Sequence, residues 1–182
     1  MKMLQTMFGG NRRPRADEGQ SLLETAFAMP LLLGIAFNMI NIGYFWYMIL
    51  TLSAAPRMGV QYATQGGQSI QTITAPGTTA ISNLVYENMT NAVANATTSN
   101  VSVQVCTSAK GVNSSTHVAL CDTFGPSVTY STTSADPEAP FFVLDKVEVA
   151  YTVTPVIQGA AFNIVLPSSL SFHRQVSMRT LF

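Results

Sequence analysis

The chain has 182 residues, 47% of them hydrophobic and only 10% charged, with nine Lys and Arg set against nine Asp and Glu. So few charges at zero net charge exclude a nucleic-acid-binding surface, which requires clustered cations, and they are out of keeping with a wholly soluble domain. The composition indicates a membrane-linked protein.

In chain order, the first segment is a basic leader, residues 1–19, whose cations are Lys2, Arg12, Arg13 and Arg15. An apolar run follows. From Thr25 to Pro56 there is no charged residue, and Asn38 and Asn41 are the only amides. A membrane-crossing helix needs about 20 such residues, and this run is longer. The alternative, a buried core helix, seldom needs so long an uncharged stretch. The aromatic cluster Tyr44, Phe45, Trp46, Tyr47 falls near the far end, where amphipathic rings favour the headgroup level. With four cations before the span and only Arg57 close after it, the positive-inside rule places residues 1–19 in the cytoplasm and the remainder across the membrane. Pro30, early in the run, is expected to kink the helix or mark a bend. Gly34 and Gly43 are small positions at which another helix could approach, although both residues are common in membrane helices.

A secretory signal also has a basic start, but its apolar core spans only about 7–15 residues before a small-residue cleavage site. Ala26-Phe27-Ala28 comes too early for such a site, and Ser53-Ala54-Ala55 is followed by Pro56. Ordinary signal-peptide cleavage is therefore not expected. The stretch DEGQSLLETAFAMPLLLG, residues 17–34, presents a different order: Gly19, a short polar pair, then Glu24 set in the start of the apolar helix.

That order resembles the class III signal of type IV pilins. The combination of EGQSLLETAFAMPLLLGIAFNMINIGYFWY with LSAAPRMGVQYA is similar to the TadE-like family, minor pilin-like proteins of tight-adherence (Tad) pilus systems. Gly19, Glu24, Ala26 and Pro30 match the first part of the family pattern; Arg57, Gly59, Tyr62 and Ala63 match the second. The match covers residues 12–65. Pro56, Met58 and Gln61 depart from it, and Pro56 counts against a continuous helix there, because proline removes one backbone hydrogen bond and clashes with the preceding turn. The resemblance implies cleavage after Gly19 by a prepilin peptidase at the inner membrane, with Gln20 the new N-terminus and Glu24 the fifth mature residue. Its implied partners are other pilin and pseudopilin subunits and the pilus assembly machinery; no cofactor is implied. Cleavage would leave a free amine one helical turn from Glu24. A charge among apolar helices usually pairs or marks function, so the carboxylate of one subunit could meet the amine of the next and set the axial register. Alternatively, Glu24 sits near enough to the interface to snorkel to water.

Beyond the helix (20–55), residues 56–79 read as a stalk and linker, with turn signals at Gly66-Gly67 and Pro76-Gly77. From Ala80 the positions Ile81, Leu84, Val85, Met89, Ala92, Val93 and Ala96 recur at helical spacing, predicting an amphipathic helix packed on a sheet. Residues 101–108 alternate with period two and predict a strand, 117–124 its hairpin partner, and 127–133 a further short strand. Residues 146–157 form the clearest strand, 159–170 a connection or short helical segment, and 171–182 a last strand. Asp145, Lys146 and Glu148 are expected on an exposed edge, and Asp136 and Glu138 in a solvated turn. The predicted class is α+β: a long N-terminal transmembrane helix, then an extracytoplasmic domain over 80–182 with a helix on a mainly antiparallel sheet.

Cys106 and Cys121 are the only cysteines and both fall on the oxidising side, so a disulfide across the hairpin is expected. In the chain-entropy picture so short a loop is worth about 3 kcal/mol. A metal site would need more ligands than His117 can add. Catalytic groups are sparse: the two histidines, His117 and His173, stand apart in sequence, and no nucleophile elbow, phosphate loop or HExxH pattern is present. The N-x-S/T matches at Asn88, Asn95, Asn100 and Asn113 are those expected by chance in so Ser/Thr/Asn-rich a segment. The chain therefore reads as a non-catalytic pilin-like subunit, with an unprocessed single-pass envelope protein as the alternative.

Overall fold

The computed structural model describes residues 16–65, 74–93, 95–159 and 168–181. The basic leader up to residue 15, Gly66-Gly67 and most of the 159–170 connection lie outside these. Two helices, α1 (Ala16–Gln65) and α2 (Thr78–Ala92), precede four strands: β1 (Val101–Val112), β2 (Ala119–Phe124), β3 (Phe142–Val153) and β4 (Leu170–Leu181). The strands form one antiparallel sheet in the order β2-β1-β3-β4. This is the α+β arrangement expected, with α1 lying on β3 and β4 and α2 on β1.

The core forms where the helices meet the inner sheet face. Strand alternation sends Val101, Val103 and Val105 of β1, and Val147, Val149, Tyr151 and Val153 of β3, toward α1 and α2. They meet Ile81, Val85, Tyr86 and Met89 of α2 and Phe45, Met48, Leu52, Val60 and Ala63 of α1. A fully buried side chain such as Leu52 contributes about 1.5–3 kcal/mol over its exposed state. Gly59 lies where α1 crosses both α2 and β3: a Cβ there would stand 2.7 Å from Val85 and 3.3 Å from Val147.

Four features depart from the sequence expectation. The helix does not end at residue 55. It runs unbroken through Pro30 and Pro56 to Gln65, so the first part of the expected stalk is helix, packed in the core through Val60 and Ala63. An internal proline costs about 3 kcal/mol, and burial of Leu52, Ala55, Val60 and Ala63 around Pro56 offsets it. The aromatic cluster is divided: Phe45 is in the core, while Trp46 remains 63% exposed. Residues 127–133 form no strand but an irregular strap over the outer sheet face. The chain turns into it at Gly125, whose φ of 83° is open to glycine. Finally, β3 is an inner strand rather than an edge. Asp145, Lys146 and Glu148 are buried, as is Asp136, which accepts a hydrogen bond from Arg179 Nε at 2.7 Å.

Candidate functional site

Among the described residues, nothing covers the N-terminal part of α1. Every residue from Gly19 to Leu33 is exposed, including Leu22, Phe27 and Leu31, and the first buried position is Asn38. At 1.5 Å per residue, Gly19 to Phe37 extends about 28 Å, close to the roughly 30 Å of a bilayer's hydrocarbon. Within the described residues this is the one helix long and apolar enough to cross a membrane, and it lies near the N-terminus. Gly19, Gln20 and Glu24 occupy its start, with Gln20 and Glu24 one turn apart on the same side. Pro30 and Gly34 lie further along, and a Cβ added to Gly34 or Gly43 would meet nothing within 4 Å.

After this bare segment the helix acquires a regular stripe. Asn38, Asn41, Phe45, Met48, Leu52, Ala55, Gly59 and Ala63 are buried at spacings of three and four, the spacing that puts residues on one helix face. The two amides begin it. Asn41 is fully buried because it imitates a backbone pair: its Nδ2 donates to Ile157 O at 3.1 Å, and its Oδ1 accepts from Ile157 N at 3.1 Å. It thereby ties the chain leaving β3 to α1. Tyr47 makes a similar tie, its hydroxyl donating to Ala92 O at 2.7 Å at the end of α2. Asn38 donates one turn back to Gly34 O at 2.8 Å; the role of Asn41 is not legible in the apolar run, since a partner more than a hundred residues away leaves no local signal.

The outer sheet face carries a second arrangement. Glu148 on β3 is 1% exposed and accepts from Ser131 N and Oγ, the latter at 2.7 Å, and from Lys146 Nζ at 2.9 Å. Lys146 Nζ also donates to Ser131 O at 2.6 Å. The ion pair thus takes the backbone donor and acceptor of Ser131 that a strand would have offered to a neighbour. Burial pushes the Glu148 carboxyl up, but the Ser131 and Lys146 donors outweigh it and hold the group below its ordinary range. His173 on β4 completes the cluster, with Nδ1 3.4 Å from Glu148 Oε1. Beside them burial pushes the Tyr130 phenol up to about 12, opposed by its interaction with the Ser102 hydroxyl. Also on β3, burial likewise pushes the Asp145 carboxyl up, against the opposing donation from Ser108 N of β1 at 2.6 Å.

The two cysteines are directly opposed in the β1–β2 register and form a disulfide, Cα to Cα 3.9 Å. Thr133 of the strap lies against both sulfurs. His117 is in the hairpin turn at a φ of 54° and takes no part in the Glu148 cluster. Ser131 Oγ donates to the Glu148 carboxylate rather than to the His173 imidazole, so serine and histidine meet at the acid without being linked to each other. No group of three or more His, Cys, Asp or Glu side chains suited to a metal occurs among the described residues. Comparison of the chain with family models, curated proteins and solved structures gives no match.

Proposed function

We propose that the chain is a minor pilin-like subunit of a Tad-type pilus, anchored in the bacterial inner membrane with its leader in the cytoplasm and its domain in the periplasm. The observation that carries this reading is the division of α1: an uncovered apolar segment of about membrane length, with Gly19 and Glu24 at its outer end, continues as one helix into the domain core. A helix that is apolar on all sides requires lipid or other helices around it. A prepilin peptidase cutting after Gly19 frees the Gln20 amine and leaves the apolar segment in place. Glu24 then pairs with the amine of an adjacent subunit, neutralising two charges that would otherwise be unpaired in hydrocarbon. The rigid continuation of α1 into the domain makes the position of one end a determinant of the other, as assembly into a filament with other pilins and pseudopilins requires.

The test is intact-mass and N-terminal analysis of the protein made in its own host, beside Gly19→Ala. A mature chain beginning at Gln20, lost in the variant, is the expected result. An unprocessed start in both leaves an unprocessed single-pass envelope protein and removes the pilin reading.

A further inference from the structure

A cleft of about 260 Å³ opens on the outer sheet face, between the start of the strap and the ends of β3 and β4. It lies at the end of the sheet nearest the uncovered part of α1, since β3 passes from Thr152 in the cleft wall to Ile157, which Asn41 holds. Its polar wall comprises Ser99, Asn100, Ser102, Thr152, Ser171 and His173, and its apolar wall includes Val128, Ala150 and Tyr151. Among the described residues, no Lys, Arg, Asp or Glu lines it. Drug-sized ligands occupy about 300–1,000 Å³, so this space suits a molecule of a single ring.

The hydrogen-bonding capacity of the wall is uneven. Ser102 Oγ donates to Pro126 O at 2.8 Å and is buried at the floor of the cleft. One hydroxyl proton of the Thr152–Ser171 pair lies between its two oxygens at 2.8 Å and the second remains to donate, as in the Ser99–Thr97 pair at 2.7 Å. His173 reaches the same wall from β4. A carboxylate only accepts, so the His173 Nδ1 that faces Glu148 at 3.4 Å does so as a donor. The carboxylate that orients the ring is 1% exposed, while the ring itself is 40% exposed. The wall therefore offers hydroxyls that both donate and accept, with no Lys or Arg among its described residues to hold an anion.

We propose that this cleft binds an uncharged polyhydroxylated ring, a monosaccharide unit, with the Val128–Ala150 wall against its apolar face and its hydroxyls hydrogen-bonded to Thr152, Ser171 and the His173 ring. The unit is presented by a soluble saccharide or by a glycolipid headgroup, which offer the same chemistry. This site goes beyond the assembly role of α1 and does not depend on it.

The test uses the full chain in phosphatidylcholine nanodiscs, with D-glucose, D-galactose, N-acetyl-D-glucosamine and inorganic phosphate as probes in ligand-observed NMR. At least one sugar is expected to receive saturation from the protein and phosphate to show no binding. Ser171→Trp, which fills the cleft from an exposed position, should abolish the sugar signal. His173→Leu, removing one hydrogen bond, should weaken binding about fivefold. Hydrogen exchange of the β3 amides, unchanged in both variants, separates loss of the site from loss of the fold. Repeating the measurement with a monogalactosyl lipid in the nanodisc identifies the source: competition with the free sugar assigns the headgroup as a second ligand of the same cleft. No sugar signal above protein-free nanodiscs, a signal surviving Ser171→Trp, or displacement of the sugar by phosphate overturns the proposal.

Discussion

The two halves of α1 are almost equally apolar, yet they stand in opposite environments. Up to Phe37 the helix presents Leu, Phe, Met and Ile on every side and touches little; from Asn38 onward one face is packed on the sheet and α2. Hydrophobicity does not distinguish them. What differs is that the second half has a stripe of positions, small at Ala55, Gly59 and Ala63, that lets the sheet and α2 approach, and two polar ties at Asn41 and Tyr47 that fix the start of the contact. A helix is held by what packs against it, and none of the described residues packs over the first half.

The contrast can be broken most strongly by disrupting the domain that the second half packs against. Glu148→Gln leaves Lys146 buried without a counter-charge, and removal of one partner of a buried pair costs about 3–5 kcal/mol. The opening free energy read from β-strand hydrogen exchange in the full chain should fall by that order, with the exchange of the membrane-length segment unchanged. The loss should depend on pH. The Glu148 carboxyl lies below its ordinary range in the folded chain, so its stabilisation is fully present above the unfolded value of about 4.3 and is lost as pH falls through the folded value. Wild type and variant should therefore converge in acid; a constant difference would show that the pair's charge is not what stabilises the strap.

A matched pair of leucines sharpens the comparison. Leu52→Ala opens a cavity in a fully buried site and should cost about 2–5 kcal/mol by the same measurement, whereas Leu32→Ala, at a residue 62% exposed, should leave domain stability unchanged. Equal losses would mean that the first half has a cover within the chain. Glycines give a smaller version of the same contrast. Gly59→Ala forces a methyl against Val85 and should cost about 1–3 kcal/mol, while Gly34→Ala, open on all sides within the chain, should have no effect on the domain. An effect of similar size but more local is expected from Asn41→Ser, which loses two neutral hydrogen bonds to Ile157 at about 0.5–1.5 kcal/mol each and should raise exchange at the end of β3 before any other strand.

Much of this arrangement is legible along the chain. The apolar run, the α2 periodicity, the alternation of β1 and β3 and the cysteine pair are all local or nearly local signals, because helical and strand periods express which side of an element meets apolar surroundings. The end of α1 was not legible: proline signals a break locally, and only the packing of Leu52, Ala55, Val60 and Ala63 opposes it. The strap was misread for a related reason. SVTYSTT has strand composition, but its backbone groups at Ser131 are taken by the side chains of Lys146 and Glu148.

The sequence by itself thus determined an apolar helix of membrane length, its Gly19–Glu24 start and an α+β domain closed by one disulfide, since each follows from composition, period or count. Tertiary structure alone decided where α1 passes from bare to buried, that Asp145, Lys146 and Glu148 lie on an inner strand, and that Asp136 and Arg179 pair across the fold. The physical reason is common to all three. A buried charge is tolerated only where a partner and hydrogen bonds compensate it, and a helix face is buried only where something is packed against it. Those partners come from distant parts of the chain.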